Sequence, residues 1–146
     1  MVAEATMQRL ISKFGFDHYD FVNLVNHSGG MWVLWNNDNI MANIMIKQHR
    51  FIHMLILDTN IQKLVTISSI YAPTKKDENP AFWNHLSQRN FVIDTPWCII
   101  GDFNELENNM EKKGGAPISY SQCKCLPAFL HTFEASSLPV LGRPFT

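Results

Sequence analysis

Between residues 31 and 71 the chain falls into short apolar or β-branched segments separated by a few polar turn formers. No other feature constrains the fold as much. Met31 to Trp35 is strand-like, and Asn36-Asn37-Asp38-Asn39 is a strong turn. Ile40 to Ile46 and Arg50 to Leu57 read as two further strands. Asp58-Thr59-Asn60 turns the chain, Gln62 to Tyr71 returns it, and Pro73 closes the segment. Strands joined by connections this short pair with their sequence neighbours, so the spacing predicts an antiparallel meander. Upstream, Met7, Leu10, Ile11 and Phe14 recur at helical spacing within Val2 to Phe14, with Gly15 as the stop. Phe16 to Val25 reads as extended, and His27-Ser28-Gly29-Gly30 reads as a turn.

Downstream, Pro80 suits the first turn of a helix running to about Gln88, with Phe82, Trp83 and Leu86 as its apolar stripe. Pro96-Trp97-Cys98-Ile99-Ile100-Gly101-Asp102-Phe103-Asn104 follows. Its continuous apolar run reads as a strand buried on both faces. Gly101 permits close approach of another backbone or a ligand where that strand ends. In extended chain Asp102 and Asn104 point to the same side, and a carboxylate beside a carboxamide suits a hard cation, a water or a phosphate. The same two residues equally suit an Asx turn that merely ends the strand. Glu105 to Pro117 is a polar loop. Ser119 or Ser121 can cap a helix carrying Leu126, Phe129, Leu130 and Phe133, with a kink or break expected at Pro127.

With 146 residues, 46% of them hydrophobic, the chain is long and apolar enough to bury a core as one domain, residues 1–146. Its net charge of −1 lacks the basic excess that drives strong non-specific nucleic-acid binding. The three cysteines, Cys98, Cys123 and Cys125, do not have structural-zinc spacing. They read as reduced thiols of an intracellular protein, Cys98 as a small buried hydrophobe. No run reaches membrane-spanning length, and the first residues show no secretory signal, so no membrane partner is expected.

Tyr71 is the other chemically suggestive residue. It ends a predicted strand, and if that strand pairs near Trp97, its phenol and Asp102 meet at one rim of a sheet. A phenol there can donate to a phosphate oxygen, or it can be a core tyrosine hydrogen-bonded to a loop carbonyl. The six histidines form no metal motif and read as surface or hydrogen-bonded structural residues.

Several motifs occur in an order shared by one group of proteins. They are Ser28-Gly29-Gly30 with Leu34-Trp35, Ile70-Tyr71-Ala72-Pro73, Phe82-Trp83, Pro96-Trp97 through Asn104, Glu111-Lys112-Lys113-Gly114-Gly115 and Phe145-Thr146. Over nearly its whole length the chain resembles the endonuclease/exonuclease/phosphatase superfamily, in the form carried by plant LINE-type retrotransposons. The resemblance implies a DNase I-like α/β fold: a four-layer α/β sandwich of two mainly antiparallel sheets flanked by helices. It also implies Mg²⁺-dependent cleavage of DNA or another phosphodiester. On that resemblance Asp102 orients the attacking water and joins a metal site, Asn104 holds the scissile phosphate or the metal, and Tyr71 hydrogen-bonds the phosphate.

The chain also departs from the family pattern. The family's first strand bears an Asn, its next ends in a metal-binding Glu, and an Asp-His pair lies near its C-terminus. None has a counterpart here, and Val140 stands where the acid of an Asp-Leu-Gly would be. The expectation is therefore an incomplete sandwich with weak or lost activity, since one key electrostatic group is commonly worth about a hundred- to a thousandfold in rate. The alternative is a non-catalytic remnant that contacts nucleic acid through Lys112-Lys113, or a protein partner or itself through exposed sheet edges.

Overall fold

The computed structural model describes residues 4–25, 28–36, 38–89, 91, 94–107, 111, 113–114 and 124–139. Among these residues it has mixed α/β content: a two-stranded and a four-stranded sheet with three helices. The chain divides into two compact units. One comprises Met1–Tyr71 and Val92–Asp102, the other Ala72–Phe91 and Phe103–Thr146.

The first unit begins with helix α1, Glu4–Phe14, which buries Ile11 and leaves Phe14 exposed. Gly15 ends it at φ 74°, donating to Ser12 O at 3.4 Å. A residue without a Cβ adopts this left-handed conformation freely, and it releases the chain into the next strand. Strands β1, His18–Val25, and β2, Ser28–Trp35, form an antiparallel hairpin in which Val25 faces Ser28. His18 faces Trp35, and their rings stack with centroids 5.6 Å apart. The hairpin corrects one expectation. Ser28, Gly29 and Gly30 belong to strand β2, with Ser28 and Gly29 in register with Val25 and Leu24, and are not a turn, because cross-strand pairing overrides a weak local preference for bending.

The four-stranded sheet has the order β3-β4-β5-β6. Strands β3, Ile40–Gln48, β4, Phe51–Asp58, and β5, Lys63–Tyr71, form the antiparallel meander that the turn spacing predicts. The β4–β5 turn is fixed by Asp58, whose Oδ1 accepts from the amides of Asn60 at 2.9 Å and Ile61 at 3.2 Å. That is an Asx turn, which explains why the aspartate sits there. β4 lies between two partners and carries the core: Phe51 and Met54 are buried, and Ile52 is 0% exposed. Strand β6, Trp97–Asp102, pairs with β5 in parallel, from Thr66↔Trp97 to Tyr71↔Asp102.

β6 corrects a second expectation. Its apolar run is not covered on both faces. It is the last strand in the sheet order, and Ile100 is 58% exposed. A continuous apolar run marks a strand, but which neighbours the strand receives is settled by topology.

The described residues of the second unit form two helices with an aromatic core. Helix α2, Asn79–Ser87, has Pro80 in its first turn and buries Asn79, Trp83 and Leu86, a stripe of i, i+4, i+7. Helix α3, Cys125–Thr132, buries Leu126 and Phe129. The Trp83 ring lies 5.0 Å from Phe129 and 6.1 Å from Phe103. Pro127 does not kink α3: it is the third residue, in the first turn, where its missing N–H has no intrahelical carbonyl to serve. Ser119, Ser121, Cys123, Lys112, Gly115, Val140 and Phe145-Thr146 lie outside the described residues, as does His27. No helix of the described residues is long and apolar enough to cross a membrane.

Candidate functional site

In the first unit, β5 and β6 end together. Tyr71 and Asp102 are register partners across a parallel ladder, so their side chains leave the sheet on the same face. Tyr71 is half-buried and Asp102 exposed. The residue before Asp102 makes this approach possible. Gly101 has φ 143°, and a Cβ on it would fall 1.8 Å from the Ile70 carbonyl oxygen. Only glycine fits there, as the strand-end position predicts.

Arg50 completes this end of the sheet, and nothing in the sequence pointed to it. It is 9% exposed and lies in the two-residue turn between Gln48 and Phe51, at φ 70°. Its carbonyl accepts from the Tyr71 amide at 3.1 Å, and its Nη1 donates to the Tyr71 carbonyl at 3.4 Å. Its guanidinium carbon stands 5.4 Å from the centre of the Tyr71 ring, within cation–π range. The rim thus combines a phenol, a carboxylate and a guanidinium.

A second polar group lies within the same sheet. His53 on β4 and Ser68 on β5 are both buried, with His53 Nδ1 2.7 Å from Ser68 Oγ. Trp97 Nε1 donates to that Oγ at 2.8 Å. Having accepted from the indole, the hydroxyl is best placed to donate to Nδ1, which requires a neutral imidazole. Burial holds the His53 imidazole below its ordinary pKa, in keeping with that arrangement. The expectation that the histidines are surface or structural residues covers this one. What the sequence does not reveal is a network joining residues 53, 68 and 97.

Asn104 belongs to the second unit. The extended backbone ends at Asp102, and Asn104 has φ 47°, so same-side alternation does not extend to it. Asparagine tolerates this left-handed conformation better than most residues. Its Nδ2 donates to the Ala72 carbonyl at 2.8 Å, and its own carbonyl accepts from Asn79 Nδ2 at 3.4 Å. It therefore fastens the residue just after Tyr71 to the residues just after Asp102. Next to it, Glu105 Oε1 accepts from the Cys125 amide at 2.7 Å and caps α3, where Lys124 supplies no side-chain cap. Burial, and then the Glu105 carboxylate, push the Cys125 thiol above its ordinary pKa. Asn79 Oδ1, Trp83 Nε1 and Glu105 Oε2 are buried without a hydrogen-bond partner among the described residues.

Among the described residues, no group of three His, Cys, Asp or Glu side chains is gathered to hold a metal ion. Asp102 alone is compatible with a Mg²⁺ that keeps most of its water and is shared with a phosphate, a common way of binding this ion. The chain matches no known protein-family profile, and no curated protein sequence matches it significantly.

Proposed function

We propose that the end of β5 and β6 is a phosphodiester-binding rim. On this reading it derives from a DNA endonuclease of the endonuclease/exonuclease/phosphatase type carried by LINE retrotransposons, acting inside the cell, and the two sheets belong to the sandwich of that fold. The observation that carries it is the parallel register of Tyr71 with Asp102, made possible by Gly101. Asp102 accepts a proton from, or orients, a water beside the phosphate. Tyr71 donates its phenol proton to a phosphate oxygen, and Asn104 holds the chain that leaves the rim. Mg²⁺, held by Asp102 with the substrate's own oxygens, would neutralise charge on the phosphate. Among the described residues the rim gathers one carboxylate, Asp102, and no His-acid pair, so on this reading binding outlasts efficient cleavage and turnover is weak.

Nicking of supercoiled plasmid in Mg²⁺ tests this. The expected result is slow nicking by the wild-type chain, reduced about a hundredfold or more by Asp102→Ala. Equal nicking by the two proteins would reject a role for Asp102.

A second reading rests on a different observation, that β6 is the last strand of its sheet among the described residues and that Ile100 is exposed on it. An edge strand offers unpaired backbone groups to another chain, so the unit would then act as a non-catalytic docking element for a second copy or a protein partner. Self-association that is insensitive to phosphodiesters and abolished by Ile100→Lys would favour it.

A further inference from the structure

Arg50 occupies a position that its side chain makes expensive. It follows His49 in a tight turn between β3 and β4, at φ 70°, where glycine or asparagine is the ordinary choice. A long side chain held there, nine-tenths buried, is backbone strain retained beside a candidate site. Three of its contacts converge on one residue, Tyr71. The Arg50 carbonyl accepts from the Tyr71 amide, the guanidinium donates to the Tyr71 carbonyl, and the guanidinium lies over the Tyr71 ring. Tyr71 is in turn the partner of Asp102.

We infer that Arg50 is a positioning residue for Tyr71 and the fixed positive charge of the rim. It sets the phenol's direction and offsets the Asp102 carboxylate, so that an anionic phosphodiester can approach. Lysine could supply the charge but not the planar group that both stacks on a ring and donates to a carbonyl. This inference rests on the phosphodiester reading of the rim and adds a residue to it. It also predicts an unusual separation of binding from stability. Arg50→Asn and Arg50→Gly remove the side chain while suiting the backbone, so they should bind worse without unfolding more readily.

The test is binding of a dithymidine phosphodiester, a minimal one-phosphate probe, at low and at moderate salt, with urea unfolding of each protein alongside. The expected result is saturable binding by the wild type that weakens with salt. Arg50→Asn and Arg50→Gly should bind at least tenfold more weakly, with a flattened salt dependence and a urea midpoint equal to or above the wild type's. Arg50→Lys should restore the salt dependence but only part of the affinity. Wild-type affinity in Arg50→Asn would overturn the inference while leaving the rim as a phosphodiester site. Absence of saturable binding by the wild type would overturn the rim itself, and the role of Arg50 with it.

Discussion

β4 and β6 are spelled alike and built differently. Each is a nearly continuous apolar run, Phe51 to Leu57 interrupted only by His53, and Trp97 to Ile100. Among the described residues β4 has a partner on both sides and buries Phe51 to Met54, whereas β6 has one partner and exposes its far half. In β4 the sheet is held by what the side chains fill. In β6 it is held by how near the backbone comes to β5, a distance that Gly101 alone allows. The interior strand is therefore a matter of volume, whereas the edge strand is a matter of clearance. The chemistry-bearing residues gather at the end of the second kind.

The comparison can be broken at its strongest point first. Gly101→Ala places a methyl group 1.8 Å from the Ile70 carbonyl at a φ of 143°. The ladder must open there, with a loss expected to exceed about 4 kcal/mol, read from chemical denaturation or from failure to fold. Ile52→Ala tests the interior strand by volume. Emptying that fully buried site should cost about 3 kcal/mol. A smaller loss for Gly101→Ala than for Ile52→Ala would reverse the contrast.

A third test uses pH and the two strands together, since His53 of β4 is linked through Ser68 to Trp97 of β6. Burial lowers its pKa in the folded state, so the unfolded chain takes up the proton first. The stability that the neutral imidazole contributes is fully present above about pH 6.5 and is lost as pH falls below it. The His49 pKa, lowered by burial and by Arg50, contributes in the same direction. Urea midpoints measured from pH 7.5 down to 5.5 should fall, and His53→Gln should flatten the slope. A midpoint that rises on acidification would contradict the assignment. The smallest effect belongs to the exposed edge. Ile100→Lys should change stability by no more than about 0.5 kcal/mol, and sedimentation would show whether it also removes association along β6.

Much of the scaffold is legible in the sequence because it is local. Asp58-Thr59-Asn60 fixes the turn before β5, Pro80 opens α2, and Gly15 stops α1, each through a backbone preference acting within a few residues. Gly101 is legible for the same reason: a glycine between an apolar run and an acid marks a close approach. What the sequence does not show depends on partners far along the chain. Trp97 offers no hint that its indole will meet Ser68, 29 residues away, or that Ser68 will meet His53. Arg50 looks like an ordinary strand-start cation until the turn places it over Tyr71. Asn104 appears to continue the alternation of β6, but its left-handed backbone turns it to the Ala72 carbonyl instead. Edge or interior position is invisible for the same reason, because an apolar run does not record how many neighbours it will have.

The central claim is that Tyr71 and Asp102 form one phosphodiester-binding rim at the end of a parallel strand pair. It is tested most directly by following backbone amide resonances as a dithymidine phosphodiester is added in Mg²⁺. The account predicts saturable shifts largest at Tyr71, Gly101 and Asp102, with the middle of β4 unmoved. Shifts centred elsewhere, or none that saturate, would contradict it.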